Sequence, residues 1–443
     1  MRFPPRPEHP CVHGLIDKFL GRDVMHPFTM YGQGEASFFY VFDNYIKTLD
    51  FNDPLKNQIF LNEVYKAFGC QLPVMGDSGR IVNPLDIFDI LKNPNATEMG
   101  LKTFCQLEIS LENFLEAQLK DGKLTKPIGF KEELTRKDRA TMRHIWATME
   151  LTRAWMPHSL DEFLSDAPKE KEKKAASQQK FFMEIENGTS MLPNAIFEDF
   201  VKKGGEVIRN FTVSQVSLDE YKVLISAQDG YEVVDVDFAV VTATARAVSN
   251  INFIPPLLYE KTDALNSITY VNSLKIFLSF DSPFWINKTG IADPIPFYSD
   301  SDPTCDSFDC LKGGTFITDL PTRSGYYPAH EFHGYSMLVS YVWGEDADRL
   351  TPYTDQQLFD MALDNLVTFH GPVARQAWTG EGVVKRWMED NFSHGAFVFT
   401  RPFQQQDLYP ALSTPDQNGR LHFAGEYTNK VGGLTFLKYP NYN

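Results

Sequence analysis

What this chain lacks narrows the field before any motif is considered. Five cysteines in 443 residues (Cys11, Cys70, Cys105, Cys305 and Cys310) are too few and too scattered for a disulfide scaffold. Cys305 and Cys310 are spaced to close a small loop or to stay reduced; a lone CxxxxC without a second pair is a weak metal signal. No apolar run reaches the ~18 residues a bilayer crossing needs. The first ten residues carry Arg2, Arg6 and four prolines in place of the apolar core of a signal peptide. Basic charge is short: 42 Lys and Arg against 58 Asp and Glu leave a formal net charge of -16. Such a chain repels phosphate backbones, which argues against nucleic acid and anionic membrane as partners. There is no GxGxxG, P-loop, HExxH or GxSxG. His330 and His333 stand three apart without further ligands, so a structural or surface role outweighs a metal.

What is present is ordinary globular material in quantity. Hydrophobic residues make up 43% and charged residues 23%, and the length allows two or three domains around a large core. Aromatics reach 14%, with 36 Phe, which suits a Phe-rich interior first and a flat ligand second. Five Asn-x-Ser/Thr sequons, at Asn95, Asn187, Asn210, Asn287 and Asn391, decide nothing without a leader.

The texture changes along the chain. Residues 40–165 read as mostly helical, with apolar residues three and four apart at 107–119 and 135–155. The charged run 169–174 reads as a solvated loop or helix end. From about 180 strand signals take over: 206–216 and 222–226 alternate around a turn, and 237–244 is a nearly continuous apolar run of the kind buried on both faces. Residues 274–280 and 336–343 read as strands, 353–370 as a helix capped near Thr354, and 421–424 as a last short strand. The Pro-, Asp- and Ser-rich stretch 290–312 reads as an inserted loop. Helices followed by strands that return to one another late in the chain imply an α/β protein of interleaved domains.

Specificity comes from an ordered series of segments. They are Met1-Arg2-Phe3-Pro4; Met191-Leu192-Pro193; residues 207–216; the run DFAVVTATARAV at 237–248, followed by Phe253 and Pro255-Pro256-Leu257; and Leu274–Leu278 with Phe284-Trp285. Then come TDLPTR at 318–323 with Tyr326-Tyr327-Pro328, SYVWGEDA at 340–347, Trp387, Gly395-Ala396-Phe397, Pro402-Phe403-Gln404, and FAGEYT at 423–428. In order and spacing this series resembles the L-amino-acid oxidases of the flavin amine oxidase superfamily over residues 1–30 and 190–433. Residues 31–180 match only in helical character and position.

The resemblance implies FAD, an amino-acid substrate and oxygen. It also implies an α/β (mixed α+β) fold, with a Rossmann-like FAD-binding domain interleaved with a substrate-binding sheet domain and a helical insertion. The corresponding division is 1–40 and 269–418 for the substrate domain, 41–180 for the helical domain, and 181–268 with 419–443 for FAD. It places Arg2 and Tyr341 on the substrate carboxylate, where a guanidinium fork forms two charge-assisted bonds. Lys275 matches the lysine that holds a water near flavin N5. Trp343 and Phe397 match the side-chain pocket, with Gly433 beside the substrate. Met1 and Arg2 also border the cofactor, Val213 meets the adenine, Trp387 the flavin edge, and Gly425 and Glu426 the ribose, where a glycine admits close backbone approach. The reaction implied is oxidative deamination of an L-amino acid to a 2-oxo acid, ammonia and hydrogen peroxide. Arg2 and Tyr341 set this apart from monoamine and polyamine oxidases, whose substrates have no carboxylate.

The chain departs from the pattern at both ends. The family opens with a strand, a Gly-rich turn and a helix that bind the FAD pyrophosphate; here residue 1 already lies in the Met-Arg motif, about a hundred residues further on. After Gly433 the family has Trp and a long helix, whereas this chain has Leu434 and a tail ending near Pro440. The cofactor site is thus expected to be cut on both sides, and the FAD-binding domain to be incomplete. An incomplete gene product, one subunit of a split oxidase and a homologue without catalysis all fit; the abrupt start and off-pattern tail favour the first. The alternative function is a flavin-free binding protein or subunit. The partner expected is a homodimer mate or a separate N-terminal segment.

Overall fold

The computed structural model describes residues 2–3, 10–28, 38–41, 43–47, 182–219, 221–228, 233–286, 311, 313–328, 335–401 and 404–428. The helices expected at 107–119 and 135–155 and nearly all of the loop at 290–312 lie outside them. Along the chain the strands are β1 (Arg2–Phe3), β2 (Met25–Phe28), β3 (Phe38–Val41), β4 (Asn44–Lys47), β5 (Phe182–Ile185), β6 (Val213–Leu218), β7 (Val223–Ala227), β8 (Val233–Val236), β9 (Ala239–Val241) and β10 (Asn252–Ile254). They continue with β11 (Tyr270–Val271), β12 (Ser273–Phe280), β13 (Thr315–Thr318), β14 (Ser324–Tyr326), β15 (Tyr335–Trp343), β16 (Trp378–Arg386), β17 (Phe397–Val398) and β18 (Leu421–Phe423). The α-helices are α1 (Pro10–Phe19), α2 (Met191–Lys202), α3 (Ala245–Val248), α4 (Tyr259–Ser267), α5 (Gly344–Leu350), α6 (Asp355–His370), α7 (Val373–Gln376) and α8 (Gln404–Ser413). The protein is an α/β chain with parallel and antiparallel pairing.

The largest sheet has seven strands in the order β16-β12-β15-β14-β13-β3-β4. Its centre is set by strict alternation on β12. Leu274, Ile276, Leu278 and Phe280 are buried, while Lys275, Phe277 and Ser279 are half-buried on the opposite face. The buried row packs in one core with Leu358, Ala362, Leu366 and Phe369 of α6, whose spacing of three and four forms a helical stripe. Each Leu, Ile or Phe side chain among them contributes roughly 1.5–3 kcal/mol by leaving water. Helix α6 starts at a capping box, in which the Thr354 hydroxyl accepts from the Gln357 N–H at 3.3 Å and Gln357 Oε1 accepts from the Thr354 N–H at 3.0 Å.

A second core joins Val216 of β6, Ala245 and Val248 of α3, Leu265 of α4, Leu412 of α8, and Leu421 and Phe423 of β18. Here β10 runs parallel to β6, and β18 parallel to β9. Beneath it, Lys261 of α4 is 2% exposed; its ammonium donates to the Ala411 and Leu412 carbonyls at the end of α8 and lies 4.1 Å from the Phe423 ring. Burial lowers its pKa to about 8. A third, small core links α1 and α2 to the sheet β1-β5-β2 through Val12, Ile16, Ile185 and Leu192.

Two sequence expectations need correction. The strand expected at 206–216 covers 213–218: Asn210 takes a left-handed φ of 57°, and β7 offers partners only from Val213 onward. The run 237–244 is a strand only at 239–241 and is not buried on both faces, since Phe238 is 62% and Val240 60% exposed. Among the described residues β9 pairs with β18 alone, and only its Ala239 and Val241 face meets the second core.

Candidate active site

The sheet brings several sequence-singled residues to one end. On β12, Lys275 stands opposite Tyr341 of β15 on one side and Lys385 of β16 on the other. It therefore sits on an interior strand, not on a solvated edge. Its ammonium lies 4.4 Å from the centre of the Tyr341 ring, a cation–π contact. Two residues along β15, on the same face, Trp343 meets Tyr341 edge-to-face at 5.0 Å and Phe397 at 5.6 Å. Phe397 continues the wall to Phe399 at 6.4 Å. Trp343 and Phe397 are buried in one cluster with Val271 and Phe399, with Tyr341 half-buried at its rim. The short pair β11–β17 holds Phe397 there, in register with Val271.

Trp387 follows directly on β16. Its N–H donates to the Ser273 carbonyl at 3.0 Å, and its half-buried ring lies 4.7 Å from the Lys385 ammonium. The loop it opens is wound around Asp390, whose carboxylate pairs with Lys385 and accepts the N–H groups of Phe392 and Ser393 at 3.1 and 3.0 Å. Lys385 first, and these N–H groups with it, hold the Asp390 carboxyl down at about 2. The loop docks on the end of β9, where the Thr244 hydroxyl donates to the Ser393 carbonyl at 2.7 Å.

The carboxyl ends of the parallel strands β9 and β18 open beside it, the place where open α/β sheets bind ligands. Gly425, just after β18, is exposed with φ 136°, a backbone that side chains rarely adopt. Glu426 is half-buried, and its Oε1 accepts the Val398 N–H at 2.7 Å, which ties the β18 end to the strand carrying Phe397. Tyr270, the cross-strand neighbour of Val398, accepts the Ala245 N–H at 3.3 Å. Burial, and then the Glu426 charge, push its phenol well above its ordinary value. Val213 opens β6, paired to Ala227, and packs half-buried against the core containing Phe423 and Tyr427.

Lys275, Tyr341, Trp343, Phe397 and Trp387 thus lie at one sheet end, joined through Thr244–Ser393 and Glu426–Val398 to Gly425 and Glu426. Arg2 is placed by its backbone alone, opposite Glu184 on β5. Met1 and Gly433 lie outside the described residues. Sequence reasoning missed Tyr270 and Asp390. The Asp390-Asn391-Phe392-Ser393 run carries a turn signal in its polar residues; for Tyr270 no local signal exists, because its partners are more than twenty residues away.

This combination of an α/β scaffold and a lysine–aromatic wall abutting two parallel strand ends defines a class. The chain belongs to the flavin-containing amine oxidoreductases, whose family model matches residues 1–434. Among curated relatives it is 32% identical to an L-amino-acid oxidase of Siganus canaliculatus over 253 residues, 55% of this chain and 43% of that protein. It is 32% identical to one of Bungarus fasciatus (58% of this chain, 46% of that protein) and 30% identical to one of Mus musculus (56% and 36%). The chain spans about half the length of the curated relatives it matches. Among solved structures, cyclohexylamine oxidase from Brevibacterium oxydans IH-35A shares the fold, with a TM-score of 0.59 at 15% identity over 97% of this chain and 82% of that one.

FAD is the cofactor of this family. Among the described residues, those after β18 suit its ribose. An acceptor carboxylate at Glu426 suits ribose hydroxyls, Gly425 leaves the backbone bare, and the buried Tyr427 hydroxyl beside them meets no hydrogen-bond partner among the described residues. A pyrophosphate needs a gathered set of N–H donors. Among the described residues, the short helix α3 after β9 is capped internally by Thr244.

Proposed function

We propose that this chain carries the substrate side of an L-amino-acid oxidase, which converts an L-amino acid, water and oxygen to a 2-oxo acid, ammonia and hydrogen peroxide. The observation that carries the reading is the Lys275–Tyr341–Trp343–Phe397 wall, tied to the β9 and β18 ends by Thr244–Ser393 and Val398–Glu426. Bound FAD supplies the acceptor for the hydride leaving the substrate Cα. The chain's own residues orient the substrate. Arg2 grips the carboxylate through a bidentate fork, and the Tyr341 hydroxyl shares it. Trp343 and Phe397 line the side-chain pocket and exclude water, and Gly433 borders it. Lys275 would hold a water near flavin N5. Val213 meets the adenine; Gly425 and Glu426 meet the ribose; Trp387, Met1 and the Arg2 backbone border the flavin.

In this reading residues 1–40 and 269–418 form the substrate domain, 181–268 and 419–443 contribute to the cofactor domain, and 41–180 form a helical domain. The test is peroxide release by the chain joined to a family cofactor-binding segment, against a panel of L-amino acids and simple amines. Turnover of amino acids is expected. Activity confined to amines contradicts the reading.

A further inference from the structure

The TDLPTR segment packs behind the pocket wall, and its interactions there belong to no step above. Arg323 and Asp346 form an ion pair at 3.2 Å with side chains 5% and 6% exposed. Asp346 stands in the first turn of α5, three residues beyond Trp343, and its other oxygen faces the exposed Arg349 at 3.5 Å. Arg323 takes a left-handed φ of 59°, a conformation a residue with a side chain adopts only when its surroundings enforce it. They do so from every side. The Arg323 N–H donates to the Leu320 carbonyl, and its own carbonyl accepts the Thr318 N–H at 2.7 Å. Its neighbours grip β15: the Ser324 hydroxyl donates to the Tyr341 carbonyl and the Ser340 hydroxyl to the Thr322 carbonyl, each at 3.0 Å. Asn365 of α6 donates to the Thr322 hydroxyl at 2.7 Å. Next in line, Gly325 is so closely approached that a Cβ there would lie 2.4 Å from the Phe316 ring and 2.9 Å from the Leu338 carbonyl.

A buried ion pair is weak grounds for stability, because desolvation offsets its attraction, but losing or displacing one partner leaves the other charge buried and uncompensated. Here Asp346 stands in the first turn after the strand end that carries Tyr341 and Trp343, and the neighbours of Arg323 bond to residues 340 and 341 of that strand. We propose that Arg323, through Asp346, is a positioning residue that fixes the β15–α5 corner and so the placement of Tyr341 and Trp343. The corner is held by the Ser324 hydroxyl on the Tyr341 carbonyl, by the Ser340 hydroxyl on the Thr322 carbonyl, and by the ion pair to the first turn beyond 343. The proposal rests on Tyr341 and Trp343 forming the substrate wall, so its test has an arm that needs no substrate.

That arm measures amide hydrogen exchange over residues 338–347 and the near-UV circular dichroism of the aromatic wall, in Asp346→Asn, Arg323→Lys and the apolar double variant Arg323→Met/Asp346→Leu. Asp346→Asn leaves a guanidinium buried without its charge partner and is expected to lower Tm by about 5–10 °C. The double variant is expected to recover the Tm, yet to exchange faster over 338–347 and to lose aromatic dichroism. Wild-type exchange and dichroism in that variant would reduce the pair to a structural filler and overturn the proposal. If it does not fold, Arg323→Lys decides: it keeps the charge but not the planar guanidinium that sets the 3.2 Å approach, so unaltered exchange overturns the proposal and faster exchange sustains it. In enzyme carrying a cofactor segment, Arg323→Lys is expected to raise KM for an L-amino acid by about tenfold with kcat nearly unchanged. Altered exchange with an unaltered KM would instead refute the pocket reading and leave the positioning role standing.

Discussion

Lys275 and Lys385 face each other across β12 and β16, a like-charge pair that costs stability unless each charge has its own outlet. Lys275 lies over Tyr341, and Lys385 pairs with Asp390. Neither outlet is visible in sequence, where a surface lysine on an edge strand is the lesser reading of Lys275; the flanking strands β15 and β16 place it in the sheet interior. Arg2 is the opposite case, legible through its motif while its side chain lies outside the described residues. In enzyme loaded with FAD, Arg2→Lys is expected to cost about 1.5–3 kcal/mol of transition-state stabilisation, read as a fall in kcat/KM, because a point charge replaces a two-pronged contact; an unchanged kcat/KM refutes the assignment. His370 offers a test without cofactor. Its ring is fully buried, with Nε2 2.7 Å from the Tyr327 hydroxyl, and burial lowers its pKa from 6.5 to about 3. Below pH 6.5 the unfolded chain takes up a proton that the folded ring refuses, so this group costs stability progressively as pH falls from about 6.5 to about 3. Urea midpoints across that range should fall less steeply in His370→Gln than in the parent chain; equal slopes would contradict the assignment.

At the scale of elements, local pattern was enough where one face is buried. The alternation of β12 and the stripe of α6 were both readable, and Thr354 marked the helix start. Thr354→Ala removes the capping hydroxyl and is expected to cost about 1 kcal/mol in the unfolding free energy, measured by urea titration; no loss would mean the cap is not made. Patterns failed where partners decide. Residues 206–212 alternate but have no strand beside them among the described residues, and Asn210 takes a left-handed φ of 57°. Phe238 and Val240 read as interior, yet their side of β9 is bare among the described residues. The polar residues at 390–393 signal a turn, but not its keystone, the Asp390 carboxylate collecting Lys385 and two backbone N–H groups.

Across the whole molecule the sequence order conceals the pairing. Residues 2–3 meet 183–184, β3 runs beside β13, and the two halves of the candidate site join through contacts 149 and 28 residues apart. An ordered series of family segments signalled that these parts belong together, but no periodicity could give their registers. The most direct test of the account compares L-phenylalanine with 2-phenylethylamine, which differ by one carboxylate, as substrates of the chain joined to a cofactor-binding segment. Peroxide from the amino acid, little from the amine, and loss of that preference in Tyr341→Phe are the results expected. Equal or preferred oxidation of the amine would contradict it.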